Sequence, residues 1–566
     1  DRSVQLVEKT LASNALGSNQ LKMVPMAGRY VFDLFQDIKR EHKLESYSLN
    51  AVSKEFLKDQ KNDMPVREIF RRYKDGDPKE LGEVAEYCIK DTELPHYLMK
   101  KLFTIENLTE MAKATWVPLS FLSERGQQIK VFSQLSRKAR ELGFMIPVMK
   151  VNGNDDKYQG ATVLDAQTGA YYAPITALDF ASLYPSIMCA HNLCYSTMVM
   201  NPKYDNLPGV TYEQFGQFRF AQNVPSLLPA ILTELKQFRK KAKKLMAQSE
   251  GTPMYGVYNG QQLAYKISMN SVYGFTGASK GMLPLVAIAS TVTMRGRQMI
   301  EETKNYVEAN FPGAKVRYGD TDSVMVEFDV GGRTGQEAID YSWELGEKAS
   351  EQCTKLFKEP NELELEKIYC PYFLYSKKRY AAKMYEKKGD AVVFKKIDVK
   401  GLQVVRRDNC PYVREVCKDI LATILETSDP LPSIEKARKA AKDLKAGLVP
   451  MEKLTMSKQL GADYKSKSLA HVAVVAKMRE RVPGSEPQQG DRVPFVIVQG
   501  PKSAKMFERA EDPQYVREHK LKLDFDYYFD NQLKNPVCDL LEPLVGDTKV
   551  IFEKPTKKIT DFFTKN

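Results

Sequence analysis

Apolar residues along this chain recur mostly at helical spacing, broken by a few alternating or continuous runs that read as strands. Residues 50–58 and 79–115 keep a helical period, and residues 117–150 hold another amphipathic helix. Residues 225–280 read as an antiparallel helix pair with a loop near Gly251-Thr252-Pro253. Residues 283–310 read as one long helix and residues 410–480 as mostly helical. The chain begins loosely over residues 1–35, and Gly28 to Leu34 reads as a strand running into a helix. A hairpin is expected around Thr168-Gly169. Ala173 to Phe180 reads as a buried strand ending in a carboxylate, with a helix from Ala181 to His191. Tyr318-Gly319-Asp320 sits between apolar runs as a tight turn joining two strands. Residues 362–370 alternate as a strand with one acidic face, and Asp491 opens a late strand. The polar stretch Asn152 to Asp156 is a candidate boundary.

Composition changes this picture in three ways. With 566 residues, 43% hydrophobic and 28% charged, the chain is globular and long enough for several domains. Its formal net charge of +12 favours a polyanionic partner. Its eight cysteines form no CxxC pair, which suggests reduced thiols in an intracellular protein without a zinc site. No apolar run approaches the roughly 18 residues of a membrane span, so no membrane partner is expected. The chain starts at Asp1 without a signal peptide, so it is expected to be a fragment of something longer.

The candidate chemistry begins at Asp320 and Asp322. Two acids at a sheet edge, crowded and solvent-facing, repel unless a cation lies between them, and hard oxygen ligands suit Mg²⁺. Alone, the pair reads first as an ordinary acidic turn. Asp179 at the end of its strand adds a third acid, with helix N-capping as an equal alternative. Three acids from two strands are about what two-metal phosphoryl transfer needs. Glu366 either joins them or sits on a surface strand. Arg239 and Lys243 are one helical turn apart, and Lys266, Asn270, Tyr273 and Gly274 fall on one stripe of the second helix. Two such stripes suit a triphosphate, with a flat surface for a base pair. For the first helix alone, a solvated basic face is the simpler reading. Lys377, Lys378, Arg379 and Tyr380, with Lys400 and Gly401, mix cations and an aromatic as phosphate-backbone contacts do. Tyr87 and Asp91, at i and i+4, suit a metal and a water for phosphodiester hydrolysis, or simply a surface helix. In the basic tail, Ile559, Phe562 and Phe563 form an apolar plug that docks into a partner's groove or packs back on its own chain.

Together these segments resemble family B, the polymerase α-like DNA polymerases. Asp179 to Ile187 resembles that family's motif A, Lys266 to Gly274 motif B, and Tyr318 to Ser323 motif C. Tyr158-Gln159-Gly160-Ala161 resembles the element between its exonuclease and polymerase regions, and Lys377 to Tyr380 its KKRY element. Leu49 to Ser53, Arg125 to Gln128, Ala190 to Tyr195 and Arg407 to Pro411 are similar to the delta-type branch, in a form that suggests a large DNA virus of algae. The resemblance implies an α+β right hand beside the C-terminal part of a ribonuclease H-like 3′–5′ exonuclease domain. Residues 1–150 would be that part and a connector. Residues 151–222 and 282–400 would be the palm, 223–281 the fingers, 401–550 the thumb and 551–566 a tail.

It implies that Asp179, Asp320 and Asp322 are the catalytic acids, with Asp179, Asp322 and the Phe180 carbonyl holding two Mg²⁺ ions and Mn²⁺ able to substitute. Ser182, Leu183, Tyr184, Arg239, Lys243, Lys266, Asn270 and Tyr273 would bind the deoxynucleoside triphosphate. Tyr184 would exclude a 2′-OH. Tyr158, Gly160, Gly274, Thr321, Lys377, Lys378, Arg379, Tyr380, Lys400 and Gly401 would meet primer-template DNA. Tyr87 and Asp91 would be an exonuclease remnant. The family's two earlier exonuclease acid motifs are missing, so no proofreading is expected. The tail is similar to a box that binds a PCNA-type sliding clamp, with Thr556 where glutamine is usual. The expected place of action is the host nucleus or a viral replication compartment.

Overall fold

The computed structural model describes residues 5–13, 17–26, 28–44, 46–60, 64–146, 158–402, 409–427, 429–461, 464, 466, 468–484, 486–487, 489–501 and 503–552. They fold as two compact units, one built from 1–159 and 184–292 and the other from 160–183 and 293–566.

The first unit is mainly helical. It opens on an antiparallel hairpin, Val7–Ser13 with Gly17–Met23, where the sequence reads as loose. The strand expected from Gly28 does not form. Phe32 is instead drawn into an apolar cluster with Leu108, Val117 and Leu122, and Asp33 caps the helix Leu34–Glu41 by accepting from the Phe35 N–H at 3.0 Å. Residues 79–115 form two helices rather than one. Asp77 caps the first, Pro78–Lys101, which has proline in its first turn; the second is Thr104–Thr115. Between them Phe103 takes a left-handed backbone, φ 51°. Its ring fills the space a side chain at Gly256 would need, and Asn107 fills that at Gly260. These two glycines lie one turn apart on Pro253–Gly277 and so seat Thr104–Thr115 directly on that helix. The expected pair, Leu227–Gln248 and Pro253–Gly277, forms with a short loop. Trp116 is exposed in this unit, with the Arg137 guanidinium 3.4 Å over its ring.

The second unit is built on a seven-stranded antiparallel sheet. Its strands run Ala391–Lys400, Arg379–Lys388, Leu363–Ser376, Ile175–Phe180, Ser323–Glu327 and Lys315–Asp320, with Gly169–Tyr171 also on Leu363–Ser376. The hairpin expected at Thr168-Gly169 is therefore absent. Gly169–Tyr171 pairs with residues some two hundred positions later, and the backbone before it pairs with the strand of Asp320 through Leu164 N–H to Gly319 O at 2.9 Å. The long helix Val286–Asn310 forms as its period predicts. Helix Gly335–Thr354 covers one face of the sheet, with Trp343 buried and its Nε1 donating to Glu347 Oε1 at 2.8 Å. Helices Pro411–Thr427 and Pro430–Lys445, the strands Met456–Gln459, Arg492–Ile497 and Ala510–Glu511, and helix Lys534–Val545 share a second core. All eight cysteines are free. Among the described residues no helix is long and apolar enough to cross a membrane.

Candidate active site

In the second unit, strand Ile175–Phe180 lies between Ser323–Glu327 and Leu363–Ser376. Asp179 is in register with Ser323 on one side and Glu364 on the other. Asp179 is thus a strand residue and not a helix cap; the next helix begins at Leu183, after Ser182 turns the chain with φ 52°. The hairpin Lys315–Asp320/Ser323–Glu327 closes over Thr321, φ 60°, and Asp322. The Phe180 N–H donates to Asp322 O at 2.8 Å, which ties the two strand ends together.

These acids are half-buried rather than solvent-facing. Burial first, then the charges of Asp322 and Glu366, push the Asp179 carboxyl up to about 7. Asp322 is raised as well, first by burial and then by Asp320 and Glu366. Glu366 therefore acts on this pair through its charge even though its side chain is exposed; its strand, Leu363–Ser376, lies inside the sheet and is not the surface strand of the alternative reading. Asp320 is different. Lys378 Nζ reaches its two oxygens at 2.8 and 2.9 Å, the Thr321 hydroxyl donates at 3.0 Å and the Tyr318 hydroxyl lies at 3.4 Å. Among the described residues no group of three His, Cys, Asp or Glu side chains is placed to hold a metal ion. The fitting donor set is Asp179 and Asp322, two carboxylates whose raised affinity for protons marks an uncompensated negative site suited to a hard divalent cation.

The same shift gives a stability prediction. A carboxyl raised in the folded state binds its proton more tightly there, so its contribution is favourable below its ordinary value of 3.8 and fades as pH climbs toward about 7. At pH 8 in chelator, Asp179→Asn is expected to raise Tm by roughly 1–3 °C. It is also expected to reduce the Tm increase on adding Mg²⁺, and a thermal melt with and without the ion checks both.

The Lys377-Lys378 turn stands beside this hairpin. Lys378 has φ 62°, and its N–H donates to the Tyr318 hydroxyl at 2.8 Å. Gly401, φ 64°, packs so closely on the Lys378 carbonyl that no side chain fits there. Lys377 Nζ reaches Val163 O at 3.1 Å and Asp165 at 2.8 Å, and Arg379 lies 3.6 Å from Asp539. Lys400 pairs with Asp398 at 3.2 Å. Tyr380 is 8% exposed, in a cluster with Tyr369 and Tyr372, and supports this surface from within. The Gly160 carbonyl accepts from the Arg297 guanidinium at 2.7 Å, an anchor that the sequence reading missed.

In the first unit, Lys266, Asn270 and Gly274 are exposed and Tyr273 half-buried on Pro253–Gly277, while Met269, Val272 and Phe275 face the core. The predicted stripe therefore exists. Arg239 is half-buried and Lys243 exposed, with Ala242 between them turned inward. The Tyr273 ring lies 4.5 Å from that of Tyr184, and its hydroxyl is 3.0 Å from that of Tyr158. Tyr158 in turn occupies the space a side chain at Gly277 would take, which gives that glycine an unanticipated role. Tyr87 and Asp91 lie one turn apart on Pro78–Lys101, both half-buried. Thr556, Ile559, Phe562 and Phe563 lie outside the described residues, as do Arg406, Arg407 and Asp408.

Residues 117–544 match the profile of DNA polymerase family B, and residues 8–103 that of the RNase_H superfamily. The chain belongs to DNA polymerase family B. It is 43% identical over 570 residues to a protein named DNA polymerase from Paramecium bursaria Chlorella virus NY2A, covering 98% of this chain and 62% of that one. It is 44% identical over 552 residues to the DNA polymerase delta catalytic subunit of Dictyostelium discoideum, covering 96% and 49%. It is 42% identical over 556 residues to that of Bos taurus, covering 95% and 49%. The chain thus spans between 49% and 62% of the length of these relatives.

Proposed function

We propose that this chain carries out template-directed DNA synthesis, adding deoxynucleoside triphosphates to a primer 3′-OH. The observation that carries the reading is the half-buried pair of Asp179, near the end of its strand, and Asp322, in the turn that leads into the neighbouring strand, in a family B chain. These carboxylates and the Phe180 carbonyl would hold two Mg²⁺ ions, or Mn²⁺ in their place, which supply an acidified 3′-OH and a neutralised leaving pyrophosphate. Asp320, held by Lys378, sets the hairpin's shape and local charge rather than coordinating directly. Arg239, Lys243 and Lys266 bind the triphosphate, and Ser182 and Leu183 meet it with backbone groups. Asn270 and Tyr273 line the nascent base pair, and Tyr184 meets the sugar. Gly160, Thr321, Lys377, Lys378, Lys400 and Gly401 follow the primer-template backbone, so sequence is read by base pairing and not by the protein.

In this reading residues 151–222 and 282–400 are palm, 223–281 fingers and 401–550 thumb, with the ribonuclease H-like part in 1–150. On the residues present, Asp91 is the one exonuclease acid that the family resemblance assigns. Primer extension with Mg²⁺, run on matched and 3′-mismatched primers, tests the whole reading. Extension of the matched primer without trimming of the mismatch is expected. Tight binding without extension would overturn it in favour of a scaffold.

The likeness to a chlorella virus polymerase supports a viral origin, with action in the host nucleus or a viral replication compartment. The tail Ile559, Phe562 and Phe563 supports a PCNA-type clamp as partner. Phe562→Ala with Phe563→Ala is expected to shorten products about tenfold when a loaded clamp is present, with no change in its absence. Equal loss in both conditions would mean that the tail packs on its own chain.

A further inference from the structure

A cavity of about 300 Å³ opens within the first unit, apart from every residue given a role in synthesis. Its walls come from the helices Leu34–Glu41, Thr104–Thr115, Leu119–Glu124, Gln128–Leu142 and Pro253–Gly277 and the turns beside them. Leu102, Leu108, Met111, Leu122, Leu263 and Ile267 make most of it apolar. Into this lining comes Lys130, only 8% exposed. Among the described residues no carboxylate or carbonyl reaches its ammonium as a hydrogen-bond or ion-pair partner.

The charges facing Lys130 come from the helix Leu34–Glu41 and the residue after it. Arg40 repels the ammonium and Glu41 attracts it, with Asp37 and His42 on the same wall. Arg40 is already engaged by Asp37 at 2.7 Å, Glu41 at 3.2 Å and the Leu122 carbonyl at 3.1 Å. Lys130 is thus the cation left for a ligand. Burial, then Arg40, lowers its ammonium to about 8, a penalty that a bound anion would relieve. The Asp37 and Glu41 carboxylates make the same wall unfavourable for a dianion such as phosphate.

We propose that this cavity binds an apolar monocarboxylate, its carboxylate on Lys130 and its hydrocarbon body against Leu108, Met111, Leu263 and Ile267. The size suits an aryl or short branched acid. The test is a ligand-observed fluorine NMR titration of the whole chain with para-trifluoromethylbenzoate, beside its neutral amide. The acid is expected to bind saturably and the amide about tenfold more weakly. Lys130→Met, which keeps the stem and removes the charge, is expected to weaken the acid by about tenfold and leave the amide unchanged. Leu263→Trp, which fills the cavity from a partly exposed position, is expected to abolish both. Neither residue belongs to the synthetic machinery, so retained primer extension shows that each variant is folded; Lys130→Gln replaces Lys130→Met if the latter is not. Absence of saturable binding, equal binding of acid and amide, or indifference to removal of the Lys130 charge would each overturn the proposal.

Discussion

Asp322→Ala is expected to lower primer extension by at least about 10³-fold, equivalent to about 4 kcal/mol of transition-state stabilisation, while leaving primer-template affinity within about twofold. The separation follows from what the side chain touches. Asp322 shares its electrostatic setting with Asp179, Asp320 and Glu366, and its backbone oxygen already accepts the Phe180 N–H. Alanine keeps that backbone bond, so the junction between the strands survives. What disappears is half of the carboxylate pair. Removing it also relieves Asp179 of a neighbouring charge, so the folded protein should not lose stability. Single-turnover extension alongside a binding titration separates the two effects. Extension near the unaltered rate would remove Asp322 from the chemistry.

The second large effect is expected at Tyr184. Its ring lies against Tyr273, whose hydroxyl meets that of Tyr158, and Tyr158 is seated on Gly277. A ring backed by two others is hard to displace, which is what a steric filter for a sugar hydroxyl requires. Tyr184→Ala is expected to raise ribonucleotide incorporation relative to deoxynucleotide by about 10²-fold, with a much smaller effect on deoxynucleotide kcat/KM. Competing incorporation at one template position measures the ratio. An unchanged ratio would mean that Tyr184 only packs. Tyr158→Phe removes the hydroxyl contact while keeping the ring, so it should change discrimination far less.

The parts of this site that could be read from sequence are those made locally. The strand before Asp179 and the hairpin around Asp322 rest on short apolar runs and a turn. The stripe of Lys266, Asn270, Tyr273 and Gly274 rests on helix period alone. What stayed hidden depends on distant partners. Nothing near Asp320 announces that Lys378, 58 positions later, neutralises it. Tyr380 looks like a surface aromatic among cations until Tyr369 and Tyr372 enclose it. The period through residues 79–115 runs unbroken, yet Phe103 leaves the helix because its ring fits over Gly256. The resemblance supplied roles for these residues but not the contacts that hold them.

The placement of the tryptophans has a practical consequence. The chain has only two, Trp116 in one unit and Trp343 in the other, and their surroundings differ. Trp116 is open to solvent beneath a guanidinium, whereas Trp343 is enclosed and hydrogen-bonded to Glu347. Indole emission is red-shifted and readily quenched by acrylamide in the first setting, and blue-shifted and protected in the second. Intrinsic fluorescence therefore resolves the two units without labels, and each carries its own optical record of unfolding.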